Sequence, residues 1–272
     1  MTTRNIDSRR AATIAALLLL TPGRPAMAED AREFCADRPG LGTPTCTLAP
    51  GAAVIETGVA GWERSRSAES VDDEITLGDA LLRVGLGEST EVQLGLTSHV
   101  IQRSRDRASG EVERVSGVGD ATLAVRQGLA GPNGPVAIQA FVTLPVAKRP
   151  IGSGAWSAGF LLPASVTLSQ GFDLELTPEI DLTPNADRPG RHVAWGGVVG
   201  LSRPLTERLS LTGELAAFRD EDPDERSTDA RVAASLAWQV AERLQVDFEA
   251  DLGLSNGAPD HALALGFAWQ FR

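Results

Sequence analysis

The sequence has no tyrosine, three histidines, two cysteines and no long apolar run. Each shortage excludes something. A helical membrane span needs about twenty consecutive apolar residues, and nothing beyond the N-terminal region comes near that length. Two cysteines without a third or a neighbouring histidine cannot build a cysteine-based metal centre. Cys35 and Cys46 read instead as a disulfide in an oxidising compartment, closing a small loop worth roughly 2–3 kcal/mol by chain entropy. The histidines, His99, His192 and His261, are scattered and show no metal-ligand spacing. The missing tyrosine leaves tryptophan and phenylalanine to supply any aromatic girdle at a membrane boundary.

Charge is also one-sided. The formal net charge is −11. The chain opens with Arg4, Arg9 and Arg10, an apolar run over 11–20, and Ala26-Met27-Ala28. That order predicts a secretory signal peptide over 1–28, cut after Ala28. Its removal would take away four arginines and one aspartate and move the charge to −14. A strongly acidic, exported chain is a poor nucleic-acid binder.

What the sequence has in quantity is alternation. In the last stretch, 261–272, Leu263, Leu265, Phe267, Trp269 and Phe271 share one face of an extended strand. Ala262, Ala264, Gly266, Ala268 and Gln270 share the other. Period-two patterning with aromatics at one end suits a strand with lipid outside and a filled or watery interior. Phe267, Trp269 and Phe271 are the candidate signal for the barrel-assembly machinery, with Arg272 after the last aromatic.

Eleven similar segments precede it, over 53–62, 75–86, 91–102, 115–127, 136–146, 159–169, 172–182, 192–202, 209–218, 229–240 and 244–253. Their connections alternate long and short. An up-and-down barrel with both ends on one side must do this, whereas a Greek-key sandwich has no reason to. The expectation is therefore an all-β protein. It is an up-and-down antiparallel transmembrane β-barrel of about 12 strands over 51–272, with short periplasmic turns and long extracellular loops. A disulfide-containing periplasmic segment over 29–50 precedes it. Two places fit badly. Pro178 sits mid-strand, where its missing N–H predicts a bulge or a shifted boundary. In 75–86, Asp79 and Arg83 share a face with Leu81, so the lipid face is not clean.

With lipid outside, the candidate lumen-lining residues are Arg83, Glu91, Asp120, Arg126, Asp173, Glu175, Glu179, Glu214, Asp229, Arg231, Asp247, Glu249 and Asp251. One reading makes them cross-strand ion pairs that hold the barrel round. The other makes them a narrow, cation-favouring passage.

Several segments together carry a family likeness. They are Phe34-Cys35-Ala36-Asp37-Arg38-Pro39-Gly40 with Cys46, Ile55-Glu56-Thr57-Gly58, Leu82-Arg83-Val84-Gly85-Leu86 and Glu91-Val92-Gln93-Leu94-Gly95. Gly117-Val118-Gly119-Asp120-Ala121-Thr122-Leu123 and Phe141-Val142-Thr143-Leu144-Pro145 complete the set. Over 34–272 the chain resembles the outer-membrane proteins associated with the phenol meta-cleavage degradation pathway. The resemblance implies an outer-membrane barrel that assists passage of small, often hydrophobic or aromatic, compounds. It brings no catalytic residues.

Enzyme readings are weak. Gly117–Asp120 lacks the following helix and Lys-Ser/Thr of a phosphate loop. Ser98 and His99 are adjacent, so on a strand they point to opposite faces. The sequence calls for no catalytic site, metal or cofactor. The expected partners are outer-membrane lipids, the assembly machinery and a small solute, at the outer membrane of a Gram-negative bacterium. The rivals are a soluble periplasmic ligand-binding β-barrel and a structural barrel without transport.

Overall fold

A computed structural model of the chain describes residues 32, 34–186 and 188–271. The predicted signal peptide, Asp187 and Arg272 lie outside the described residues.

Fourteen strands form one antiparallel sheet closed on itself. They are β1 (Ala53–Arg66), β2 (Ser70–Gly87), β3 (Thr90–Asp106), β4 (Val112–Gly117), β5 (Ala121–Gly128), β6 (Ala137–Leu144) and β7 (Ser157–Leu161). Then come β8 (Ala164–Thr167), β9 (Asp173–Pro184), β10 (Arg191–Pro204), β11 (Leu209–Asp220), β12 (Ser227–Ala241), β13 (Leu244–Gly253) and β14 (His261–Phe271). Two spanning segments are each split in two, so the wall has twelve. β4 and β5 both pair with β3 in one register, Val100 opposite Gly117 and Leu96 opposite Ala121. β7 and β8 likewise share one register on β9, Leu161 opposite Glu179 and Ala164 opposite Leu176. Closure is made by β14 on β1, with Ala53 opposite Phe271 and Arg64 opposite His261. That pairing joins the first and last strands, so neither is left as an open edge; β4, off the path of the wall, pairs with β3 alone among the described residues.

The outer face is apolar and the inner face polar. Leu82, Leu94, Leu96, Val125, Ile180, Leu211, Leu215, Trp238, Phe248, Leu263, Leu265 and Trp269 are all exposed. Arg83, Glu91, Arg126, Gln139, Glu214, Asp247 and Asp251 are all buried. Water would not tolerate that inversion, and lipid requires it. The soluble-barrel alternative is therefore set aside.

The two misfits resolve in different ways. Pro178 stays in register opposite Gly197, without a bulge on β9. The interruption falls on the neighbouring strand instead, at Leu162-Pro163, where Leu162 N–H donates to Pro178 O at 3.0 Å. In β2 the pairing skips Gly78, whose φ is +62°. That skip switches faces. Above it Ile75 and Leu77 point outward; below it Asp79, Leu81 and Arg83 point inward, leaving Leu82 and Leu86 exposed.

The polar stretches 63–73 and 103–113 are not loops. They are upward extensions of β1–β2 and β3–β4, with turns only at 67–69 and 107–111. β2 has 18 residues and β3 has 17, against about 9–11 needed to cross a bilayer. These hairpins extend beyond the hydrocarbon at the extracellular end.

Candidate functional site

The N-terminal segment before β1 does not trail away from the barrel. It enters the lumen and crosses it. Cys35 and Cys46 form the disulfide, with Cα atoms 6.3 Å apart. The loop they close is held by side chains from strands all round the wall.

Most of the holding is done by inward carboxylates that accept backbone N–H groups of the segment. Glu56 on β1 accepts the amides of Asp37 at 2.9 Å and Arg38 at 2.8 Å. Glu249 on β13 accepts Gly40 N–H at 2.8 Å. Glu214 on β11 accepts Leu41 and Gly42, one on each oxygen, both at 2.8 Å. Glu91 on β3 accepts Leu48 N–H at 2.9 Å. Thr177 Oγ1 on β9 accepts Thr43 N–H at 3.1 Å. Charge-assisted bonds of this kind are stronger than neutral ones, and an extended loop has no other partners for its amides.

The segment's own charged residues are held in return. Asp37 meets Arg126 of β5 and Arg83 of β2, the latter at 2.9 Å. Arg83 also binds Glu91 and Glu56, at 2.9 and 3.1 Å. Arg83, Arg126, Glu56 and Glu91 are each 0% exposed, and fully buried charges persist only when paired this completely. Arg38 reaches across to Asp247 of β13 at 3.0 Å, and its carbonyl accepts from Gln245. It passes a gap left by Gly266, where a Cβ would stand 2.5 Å from Arg38 Nε. Beneath the loop, Leu48, Ala52, Val54 and Ala268 make a small apolar cluster with Phe34 against it.

Above the segment, toward the extracellular end, lies a cavity of about 150 Å³ lined by Leu41, Glu63, Glu74, Arg231, Glu249 and Asp251. Arg231 pairs there with Asp229, and approaches Asp251 at 3.8 Å. On the inner face of β9, Glu175 and Glu179 stand on either side of Thr177, opposite Gly200 and Gly196 of β10.

The thirteen candidate lumen residues thus divide. Arg83, Glu91, Arg126, Glu214, Asp247 and Glu249 seat the segment. Asp229, Arg231 and Asp251 belong to the chamber above it, and Glu175 and Glu179 flank Thr177 on β9. Asp173 accepts Thr167 Oγ1 at 2.7 Å, near the short-turn end. Asp120 lies in the break between β4 and β5 and accepts Ala147 and Ser153 amides at 3.0 and 2.9 Å, anchoring the β6–β7 connection.

Sequence reasoning missed Glu56, Asp37 and Arg38 as part of this arrangement. The signal was present, because all three sit in the segments that carry the family likeness. The histidines occupy β3, β10 and β14. His99 is exposed, while His192 is buried with Nε2 2.8 Å from Asp220. No cluster able to hold a metal ion occurs among the described residues.

A closed twelve-segment barrel, apolar outside and charged within, defines an outer-membrane β-barrel. The chain belongs to the family described as "Putative MetA-pathway of phenol degradation", whose model matches residues 36–271. It is similar in fold to a crystallised outer-membrane channel from Pseudomonas putida, at 15% identity and a TM-score of 0.67, covering 86% of this chain and 99% of that one. The β domain of the Bordetella autotransporter BrkA is also similar, at 10% identity and a TM-score of 0.54, covering 81% and 99%. No curated protein matches the chain.

Proposed function

We propose that this protein is a passive outer-membrane channel for small, hydrophobic or aromatic compounds, with a narrow acidic lumen closed in this conformation by residues 34–52. The observation that carries the reading is the composition of the interior. A barrel built only for rigidity needs a packed, self-satisfied core. Here the lumen is filled by a stretch of chain from outside the wall, held through hydrogen bonds and ion pairs, with a carboxylate-lined chamber beyond it. Family membership supports the same direction.

The crossing segment also favours a second reading, a structural barrel that passes nothing. Planar-bilayer recording separates the two. The channel reading expects single-channel steps that favour cations, larger when residues 35–46 are deleted. Silence in both the full chain and the deletion leaves the structural barrel. Anion-selective steps remove the acidic-lumen part.

The assembly machinery is the proposed partner of β14, whose Phe267, Trp269 and Phe271 lie on the outer face near the short-turn rim. The predicted signal peptide provides the route of export.

A further inference from the structure

The strand extensions place arginines where loops would have dispersed them. Across five neighbouring strands, one row of the register reads His261 (β14), Arg64 (β1), Asp73 (β2), Arg103 (β3) and Arg114 (β4). All point outward, because Ile75, two residues along β2 from Asp73, is an exposed apolar residue of the outer face. The next row up adds Arg66 and Arg105, opposite Val71. The next row down reads Leu263, Trp62, Ile75, Ile101 and Ser116, apolar on every strand but β4.

Asp73 is the single carboxylate within these rows, and it organises them. It takes Arg64 in a fork at 2.7 and 3.1 Å, Arg103 at 3.3 Å and Trp62 Nε1 at 3.1 Å. Arg66 pairs with Asp260 at 3.5 Å. The side chains of Arg105 and Arg114 are exposed, and neither makes an ion pair or hydrogen bond among the described residues. A concentrated positive patch therefore stands on the outer face of a chain whose net charge is −11. Arg103 is thirteen residues up β3 from Thr90, just beyond the length that crosses the hydrocarbon.

We propose that this row is a binding site for the phosphates of an anionic lipid of the outer leaflet, of the lipid A class. A guanidinium fork matches a phosphate in planar, bidentate geometry, and the unengaged Arg114 of this row and Arg105 of the next offer two such forks, beside Arg64 and Arg103 held in place by Asp73. The apolar row directly below supplies the surface for its acyl chains, and a soluble anion would have no use for that surface. The site rests on the orientation in which the long connections face outward. It does not depend on conduction through the lumen.

The test uses the full chain in detergent micelles, titrated with diphosphorylated lipid A, with the same lipid stripped of its phosphates, and with inorganic phosphate, read by native mass spectrometry. The variant Arg105→Gln/Arg114→Gln breaks no internal contact, so its folding is not in question; heat-modifiable gel migration confirms it. It is expected to bind diphosphorylated lipid A about tenfold more weakly, while Arg208→Gln at the short-turn rim binds as the parent does. Equal binding of the stripped lipid overturns the proposal, as does an unchanged affinity in the double variant. Inorganic phosphate binding as tightly as the lipid overturns the lipid assignment in favour of a soluble anion. Silence in bilayer recording would count against the channel and leave this result standing.

Discussion

Arg126 grips Asp37 with a two-pronged fork, Nη1 to Oδ1 at 2.8 Å and Nη2 to Oδ2 at 2.6 Å, joining the barrel wall to a residue 89 positions earlier in the chain. Removing one partner of a buried pair leaves an uncompensated charge and costs about 3–5 kcal/mol. Arg126→Gln is expected to release residues 36–48 from protection in hydrogen-exchange mass spectrometry, with the strands unaffected. Asp37→Asn should act in the same direction. Full protection in both variants would mean that the fork does not hold the segment.

The disulfide limits how far that segment can unfold once released. Cys35→Ser/Cys46→Ser removes roughly 2–3 kcal/mol of loop-closure constraint. Exchange within the segment should rise, and single-channel openings should become more frequent. The barrel itself contains neither cysteine, so its heat-modifiable migration should not change.

Gly40 has a φ of +118°, and a Cβ there would stand 2.8 Å from Glu214 Oε2. Gly40→Ala therefore combines backbone strain with displacement of the carboxylate that accepts Leu41 and Gly42. A loss of about 1 kcal/mol or more in segment docking is expected. Comparison of exchange rates at Leu41 and Gly42 checks it, and parental rates would contradict it.

Phe271 closes the barrel opposite Ala53. Deleting Phe271 and Arg272 is expected to reduce the heat-modifiable, membrane-inserted fraction several-fold in cell fractionation. Normal insertion would remove the terminal aromatic from the assembly signal.

Asp222, in the connection between β11 and β12, accepts the amides of Asp224 and of Ala186, tying that connection to the one between β9 and β10. These amides, aided by His192 and opposed by some desolvation, hold its carboxyl below the ordinary 3.8. The tie is therefore complete above 3.8 and is lost as the pH falls through the lower folded value. The amide resonances of Ala186 and Asp224, followed by NMR in micelles, should titrate with a midpoint below 3.8. A midpoint above it would rule out that tie.

The sequence by itself determined the wall. Alternation in segments such as 244–253 and 261–271 sets which side chains meet lipid, because side-chain direction in a strand has a fixed period of two. The count of twelve spanning segments follows from the same pattern, and so does closure of the last segment on the first. What period two cannot supply is the level at which a segment stops, or what fills a closed lumen. Residues 63–73 and 103–113 look like loops because they are polar, yet they continue as strands: hydrogen bonding between neighbours, not hydrophobicity, sustains a hairpin beyond the membrane. That difference turns Arg64, Arg103 and Arg114 from loop residues into one row. Likewise Glu214 and Glu249 read as pore-lining carboxylates, and only the tertiary structure seats the amides of Gly40, Leu41 and Gly42 on them. Those partners lie some 170 to 210 residues apart. A contact of that range is decided by the closed geometry of the barrel, which no local pattern records.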